Sequence, residues 1–143
     1  SADAKLVAEA CVDAHALLLK AFEVPALRAQ LKPLPYKSVA YHQPCHSKVS
    51  KVGDMPNRLV GLIPEAKVAD LAAGCCGLSG TFGMKTDNFE MSIKIGAKLF
   101  NRINQVNPEL VFTPCGVCQT QIHQGNPERT VMHPLRMLYD ALP

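Results

Sequence analysis

Four short β-prone runs punctuate this chain: SVAYHQ (38–43), KVADLA (67–72), LVFTP (110–114) and TVMH (130–133). Each is followed by helical sequence. MPNRLVGLIPE turns helical at about Pro56, and DNFEMSIKIGAKLFNRINQV (87–106) is a long amphipathic segment with Phe89, Ile93, Ile95, Leu99 and Ile103 as its apolar face. CGVCQTQIHQ reads as a short helix, and PLRMLYDAL as a closing helix begun by Pro134. The order β-α-β-α-β-α-β-α with short links predicts an α/β fold, a Rossmann-like parallel sheet of about four strands flanked by helices.

The N-terminal region is helical instead. Residues 4–19 repeat apolar positions at helical spacing with Asp3 as the expected N-cap. Cys11 inside that helix reads as a small buried hydrophobe, and His15 as a satisfied helix residue. A shorter helix is expected over about 21–31, ending at Pro33 and Pro35. The expected division is an N-terminal helical segment over 1–35 and an α/β domain over 36–143. With 143 residues, 48% of them hydrophobic, the chain can bury a core without staples. The opening Ser1-Ala2-Asp3 lacks an initiator Met and reads as a piece of a longer polypeptide.

The cysteines take their meaning from the sheet. Cys45 follows strand one, the adjacent Cys75 and Cys76 follow strand two, and Cys115 and Cys118 follow strand three. In an open parallel sheet these loops share the carboxyl edge, so five thiols far apart in sequence are expected in one crevice. A disulfide between the neighbours Cys75 and Cys76 would force their peptide from planarity, and the CC and CxxC clusters suit long-range bridges poorly. Four thiolates satisfy a tetrahedral zinc or a cubane iron–sulfur cluster; five exceed both. An opened iron–sulfur arrangement could use the fifth as a bridge.

Local chemistry favours thiolates. Cys115 stands where a strand turns into a helix, whose N-terminus lowers thiol pKa. Gly74, Gly77, Gly80 and Gly83 leave backbone N–H groups free toward sulfur, with Gly77 and Gly80 next to the cysteine pair. His42 and His46 bracket Cys45, and His133 ends strand four; each either orients a thiolate, caps a strand end or ligates a metal.

Other classes fit less well. A formal charge of +3, with scattered basic residues such as Lys48, Lys51, Lys94 and Lys98, argues against nucleic acid. No apolar run is long enough to span a membrane, and no signal peptide is expected from the pattern of these residues. Strand–CxxC–helix also occurs in thiol–disulfide oxidoreductases, but only 25 residues follow Cys118, too few for that fold. A zinc-stabilised interaction module without redox function is the remaining alternative.

HQPCH, GCCGLSGTFG and TPCGVC, in that order, resemble the cysteine-rich CCG domain found in heterodisulfide reductase and its relatives, over about residues 37–139. Among those relatives the wording is most like the C-terminal domain of the CCG-containing subunit of anaerobic glycerol-3-phosphate dehydrogenase. The resemblance implies an iron–sulfur electron-transfer domain, with a noncubane or cubane [4Fe–4S] cluster held by Cys45, Cys75, Cys76, Cys115 and Cys118. It implies passage of electrons from a flavin-containing dehydrogenase subunit towards membrane quinone or a membrane subunit. A second CCG domain in the parent chain and a peripheral place on the cytoplasmic side of the membrane are implied too. The heterodisulfide relative adds the alternative of a cluster that reduces a disulfide. Exposed clusters degrade in oxygen, so zinc or disulfides are possible in aerobic preparations.

Overall fold

A computed structural model of the chain describes residues 1–50 and 52–143; Lys51 lies outside the described residues. Strands β1 (Ser38–Tyr41), β2 (Lys67–Asp70), β3 (Leu110–Phe112) and β4 (Thr130–Met132) form one sheet in the order β2-β1-β3-β4. All three pairings are parallel, with Ala40 opposite Ala69 on one side and Val111 on the other. The expected α/β architecture is the observed one.

Side chains alternate across the sheet with period two. Val39, Tyr41, Leu110 and Phe112 face one way, into a core shared with Leu59, Val60, Met137 and Leu138. Those four belong to α5 (Met55–Val60) and α8 (Pro134–Asp140). Ala40 and Val111 face the other way, against Leu99, Phe100 and Ile103 of α6 (Thr86–Val106) and Ile122 of α7 (Gly116–Gly125). On α6 the buried face differs from the expected one. Phe89 and Ile95 are exposed, and the small residues Ser92 and Gly96 are buried in their place. The reason lies in what packs there, described below.

The single helix expected over 4–19 is two helices, α1 (Ala2–Ala10) and α2 (Ala14–Ala21). Asp13 breaks it: Oδ1 accepts from the backbone N–H of His15 at 2.8 Å and of Ala16 at 3.4 Å, with Asp13 itself extended. An N-cap needs that extended backbone, so the first helix must stop. Ser1, rather than Asp3, caps α1. Cys11 falls at the break and is exposed, not a buried hydrophobe. The helix expected over 21–31 shrinks to α3 (Pro25–Arg28), yet Phe22 and Leu31 on either side enter the core beside α5. Asp13→Ala is expected to destabilise the fold by about 1 kcal/mol in urea unfolding, the usual loss for an N-cap.

No helix among the described residues is long and apolar enough to cross a membrane.

Candidate metal centre

The chain leaves β1 for β2 on one side of the sheet and places β3 and β4 on the other, so the connections part between β1 and β3. Crevices at such a point, outside the carboxyl ends of the strands, are where open α/β sheets hold ligands. Cys45 begins α4 (Cys45–Val49), a five-residue helix after β1 where the sequence suggests only a loop. Cys115 is the N-cap of α7 and Cys118 lies in its first turn. Cys75 and Cys76 stand in the irregular segment between β2 and a 3-10 turn at Phe82–Met84.

These three loops meet. Cys45, Cys75, Cys76, Cys115 and Cys118 line one cavity of about 350 Å³, together with Pro44, His46, Ser79, Gly80 and Val117. Their thiols form a run of neighbours, Cys45 to Cys75, Cys75 to Cys76, Cys76 to Cys118 and Cys118 to Cys115. Among the described residues no three His, Cys, Asp or Glu side chains converge on the geometry of a single metal ion; the sulfurs are spread over the cavity wall. A larger groove of about 700 Å³, between residues 71–73 and Lys98, Asn101, Arg102 and Gln105 of α6, holds no thiol.

The thiols differ electrostatically. A hydrogen bond from Cys118, joined by the backbone N–H groups of Leu78 and Ser79 and by Cys75, holds Cys76 down to about 6 despite its burial. The proton stays on Cys118, which its bond to Cys76 and then its burial push above the ordinary thiol range. Burial raises Cys75, opposed by the Gly77 N–H that donates to its Sγ at 3.3 Å. Of the glycine N–H groups singled out in the sequence, that of Gly77 aims at sulfur, whereas that of Gly83 donates to the Leu78 carbonyl oxygen at 2.9 Å instead.

Gly77 also has φ +96°, and a Cβ there would run into the Ser92 carbonyl oxygen of α6. A Cβ on Gly96 would meet the Cys76 carbonyl oxygen. Ser92 and Gly96, one helical turn apart, thus form a notch in α6 that seats the cysteine pair. Sequence reasoning misses this notch, along with Ser79 and Val117; two small residues four apart inside a helix are the available signal. Lys48 ties α4 to the same segment, its Nζ donating to the Ala73 carbonyl oxygen at 3.5 Å.

The three histidines separate. His46 is exposed and lines the cavity. His133 caps α8, its Nδ1 accepting from the Leu135 N–H at 3.2 Å. Burial and then His15, whose ring lies 6.0 Å away, lower its pKa, while a hydrogen bond to Pro114 opposes them. His15 is buried with Nδ1 on Asp13, and its Nε2 has no partner among the described residues. His42 does not line the cavity; it is buried, and burial, then the Lys48 ammonium, push it down to about 4 against Asp70.

The fold therefore holds His42 neutral. Its folded pKa lies below the ordinary 6.5 of the unfolded chain, so this stability is complete above about 6.5 and is lost as pH falls towards 4. Unfolding free energy is expected to drop by about 3 kcal/mol across that window, and His42→Gln to remove that part of the drop. Urea titrations at pH 7 and pH 4 measure it.

The family model described as CCG, a cysteine-rich domain, matches residues 39–123. The chain belongs to the CCG cysteine-rich domain family. This CCG domain is 39% identical over 112 residues to a subunit of anaerobic glycerol-3-phosphate dehydrogenase from Escherichia coli strain K12, a match covering 78% of this chain and 28% of that protein. It is 30% identical over 96 residues to a subunit of fumarate reductase (CoM/CoB) from Methanothermobacter marburgensis, covering 65% of this chain and 19% of that one. The CCG domain thus spans under a third of the length of either relative.

Proposed function

We propose that this CCG domain is an electron-transfer module that holds a [4Fe–4S] cluster through Cys45, Cys75, Cys76, Cys115 and Cys118. The observation that carries it is the meeting of five sulfurs from three loops on one cavity. Five thiol donors are one more than a single tetrahedral zinc takes, and a multi-iron cluster can use all of them. A bound cluster supplies a centre that accepts and releases one electron. The chain's own groups do the rest. The low pKa of Cys76 makes a thiolate ready for metal, the N–H groups of Gly77, Leu78 and Ser79 offset negative charge on sulfur, and Pro44 and Val117 give the cavity part of its apolar lining.

Likeness to a subunit of anaerobic glycerol-3-phosphate dehydrogenase supports a place among the subunits of an oxidoreductase; within it we propose a position between a flavin-containing dehydrogenase subunit and membrane quinone, in a parent chain with a second CCG domain and on the cytoplasmic face of the membrane. Iron and sulfide analysis with electron paramagnetic resonance on anaerobically prepared protein tests the cluster. Iron with sulfide in near-equal amounts is the expected result. Zinc alone, in protein never exposed to oxygen or competing zinc, overturns it.

A further inference from the structure

Gln121 is a polar residue buried where the core is apolar. It lies on α7 one turn beyond Cys118, wholly out of solvent, and the next residue, Ile122, belongs to the apolar core. Its Nε2 donates to the Ser92 Oγ of α6 at 3.2 Å. Among the described residues this is the one hydrogen bond outside the thiols that joins two buried side chains. Ser92 gives its own proton to the Phe89 carbonyl oxygen at 2.8 Å, so the amide must turn its NH2 group to Ser92. The Gln121 Oε1 is then left in the interior without a partner among the described residues. A buried amide oxygen without a donor lowers stability, which a methionine of the same length would not. What the amide adds is direction. A hydrogen bond fixes how two helices approach, where apolar packing fixes little beyond volume.

Ser92 sits where three pieces of the site meet. Its carbonyl oxygen lies against Gly77, its side chain against Gly83, and its hydroxyl on Gln121. These contacts close a ring. It runs from Cys118 along one turn of α7 to Gln121, across to Ser92, on to Gly77, and back through Cys76, whose thiol is hydrogen-bonded to Cys118. The Gln121–Ser92 bond is the polar link between the two helices of that ring. From it we infer that Gln121 is a positioning residue: bonded to Ser92, it sets how far the CxxC stands from the cysteine pair before any metal arrives. A site whose ligands are already spaced loses less freedom on binding. The inference rests on the proposed function in one respect, that the spacing it sets is that of cluster ligands.

Dibromobimane, an alkylating reagent whose two arms bridge neighbouring thiols, reads that spacing in the metal-free 143-residue chain. Trypsin leaves the cysteine pair and the CxxC on separate peptides, so mass spectrometry counts bridges between the two against bridges within either. Gln121→Met is expected to lower the bridges between them several-fold relative to those within. Ser92→Ala removes the same bond from the other side without widening α6, and tests it even where Gln121→Met does not fold. It is expected to lower the ratio equally, and the double variant to lower it no further. In anaerobically loaded protein the same variants are expected to keep their iron and circular dichroism while their electron paramagnetic resonance lines shift and broaden. An unchanged bridge ratio overturns the proposal, whatever happens to stability in urea. So do effects of the two substitutions that simply add. The bridge measurement needs no cluster. A chain that takes up no iron yet loses these bridges in Gln121→Met sinks the cluster reading and upholds the spacing role; one that loads iron, with bridges and resonance lines indifferent to the substitution, does the reverse.

Discussion

Cys76→Ser protein, prepared without oxygen, is expected to hold almost no iron or sulfide where the parent holds about four of each per chain. Cys76 is buried in the middle of the thiol run, touching both Cys75 and Cys118. It is also the thiol whose surroundings most favour the anion, and the thiolate is the form that binds metal. A serine hydroxyl in the same place stays protonated and gives a hard, weakly binding oxygen. Cys11→Ser is the internal comparison: Cys11 is exposed at the end of α1, and its loss is expected to leave iron content unchanged. Metal analysis and circular dichroism, run side by side, separate lost ligation from lost fold. Unchanged iron in Cys76→Ser would remove the cysteine pair from the centre.

Gly77→Ala is expected to be the most damaging single change outside the cysteines, lowering unfolding free energy by about 3–5 kcal/mol. Two effects add. The positive φ strains any residue with a Cβ, and that Cβ also overlaps the Ser92 carbonyl oxygen in the backbone of α6, which cannot swing aside. Gly80→Ala isolates the first effect, because Gly80 has φ +64° but open space around it; its cost is expected to be about 1 kcal/mol. Urea unfolding of the two variants gives the difference directly. Equal costs would mean that the notch in α6 does not fix the turn.

The sequence reveals what depends on local pattern. Alternating β-prone and helical runs place the four strands, and from the strands follows a shared edge for Cys45, the Cys75–Cys76 pair and the CxxC. Three things are out of its reach. The residues on both sides of Asp13 are good helix formers, so periodicity runs straight through a position where one carboxylate captures two backbone donors and stops the helix. At five residues, α4 is too short to show a period. The buried face of α6 is misassigned because apolar count alone favours Phe89 and Ile95, whereas the close approach of the Cys76–Gly77 backbone selects Ser92 and Gly96. That approach joins residues far apart in sequence, and no window of local pattern contains it.

The position of β2 in the sheet has a consequence of its own. Cys45 and the CxxC descend from β1 and β3, each hydrogen-bonded on both sides, whereas the adjacent pair descends from β2, which has a partner on one side only. Metal held by all five sulfurs, as proposed above, would therefore clasp one edge strand of the sheet to its middle. Opening that clasp is expected to free this edge strand first. Amide hydrogen exchange after chelation is expected to quicken over Lys67–Asp70 and residues 72–81, while Ser38–Tyr41 and Leu110–Phe112 keep their protection.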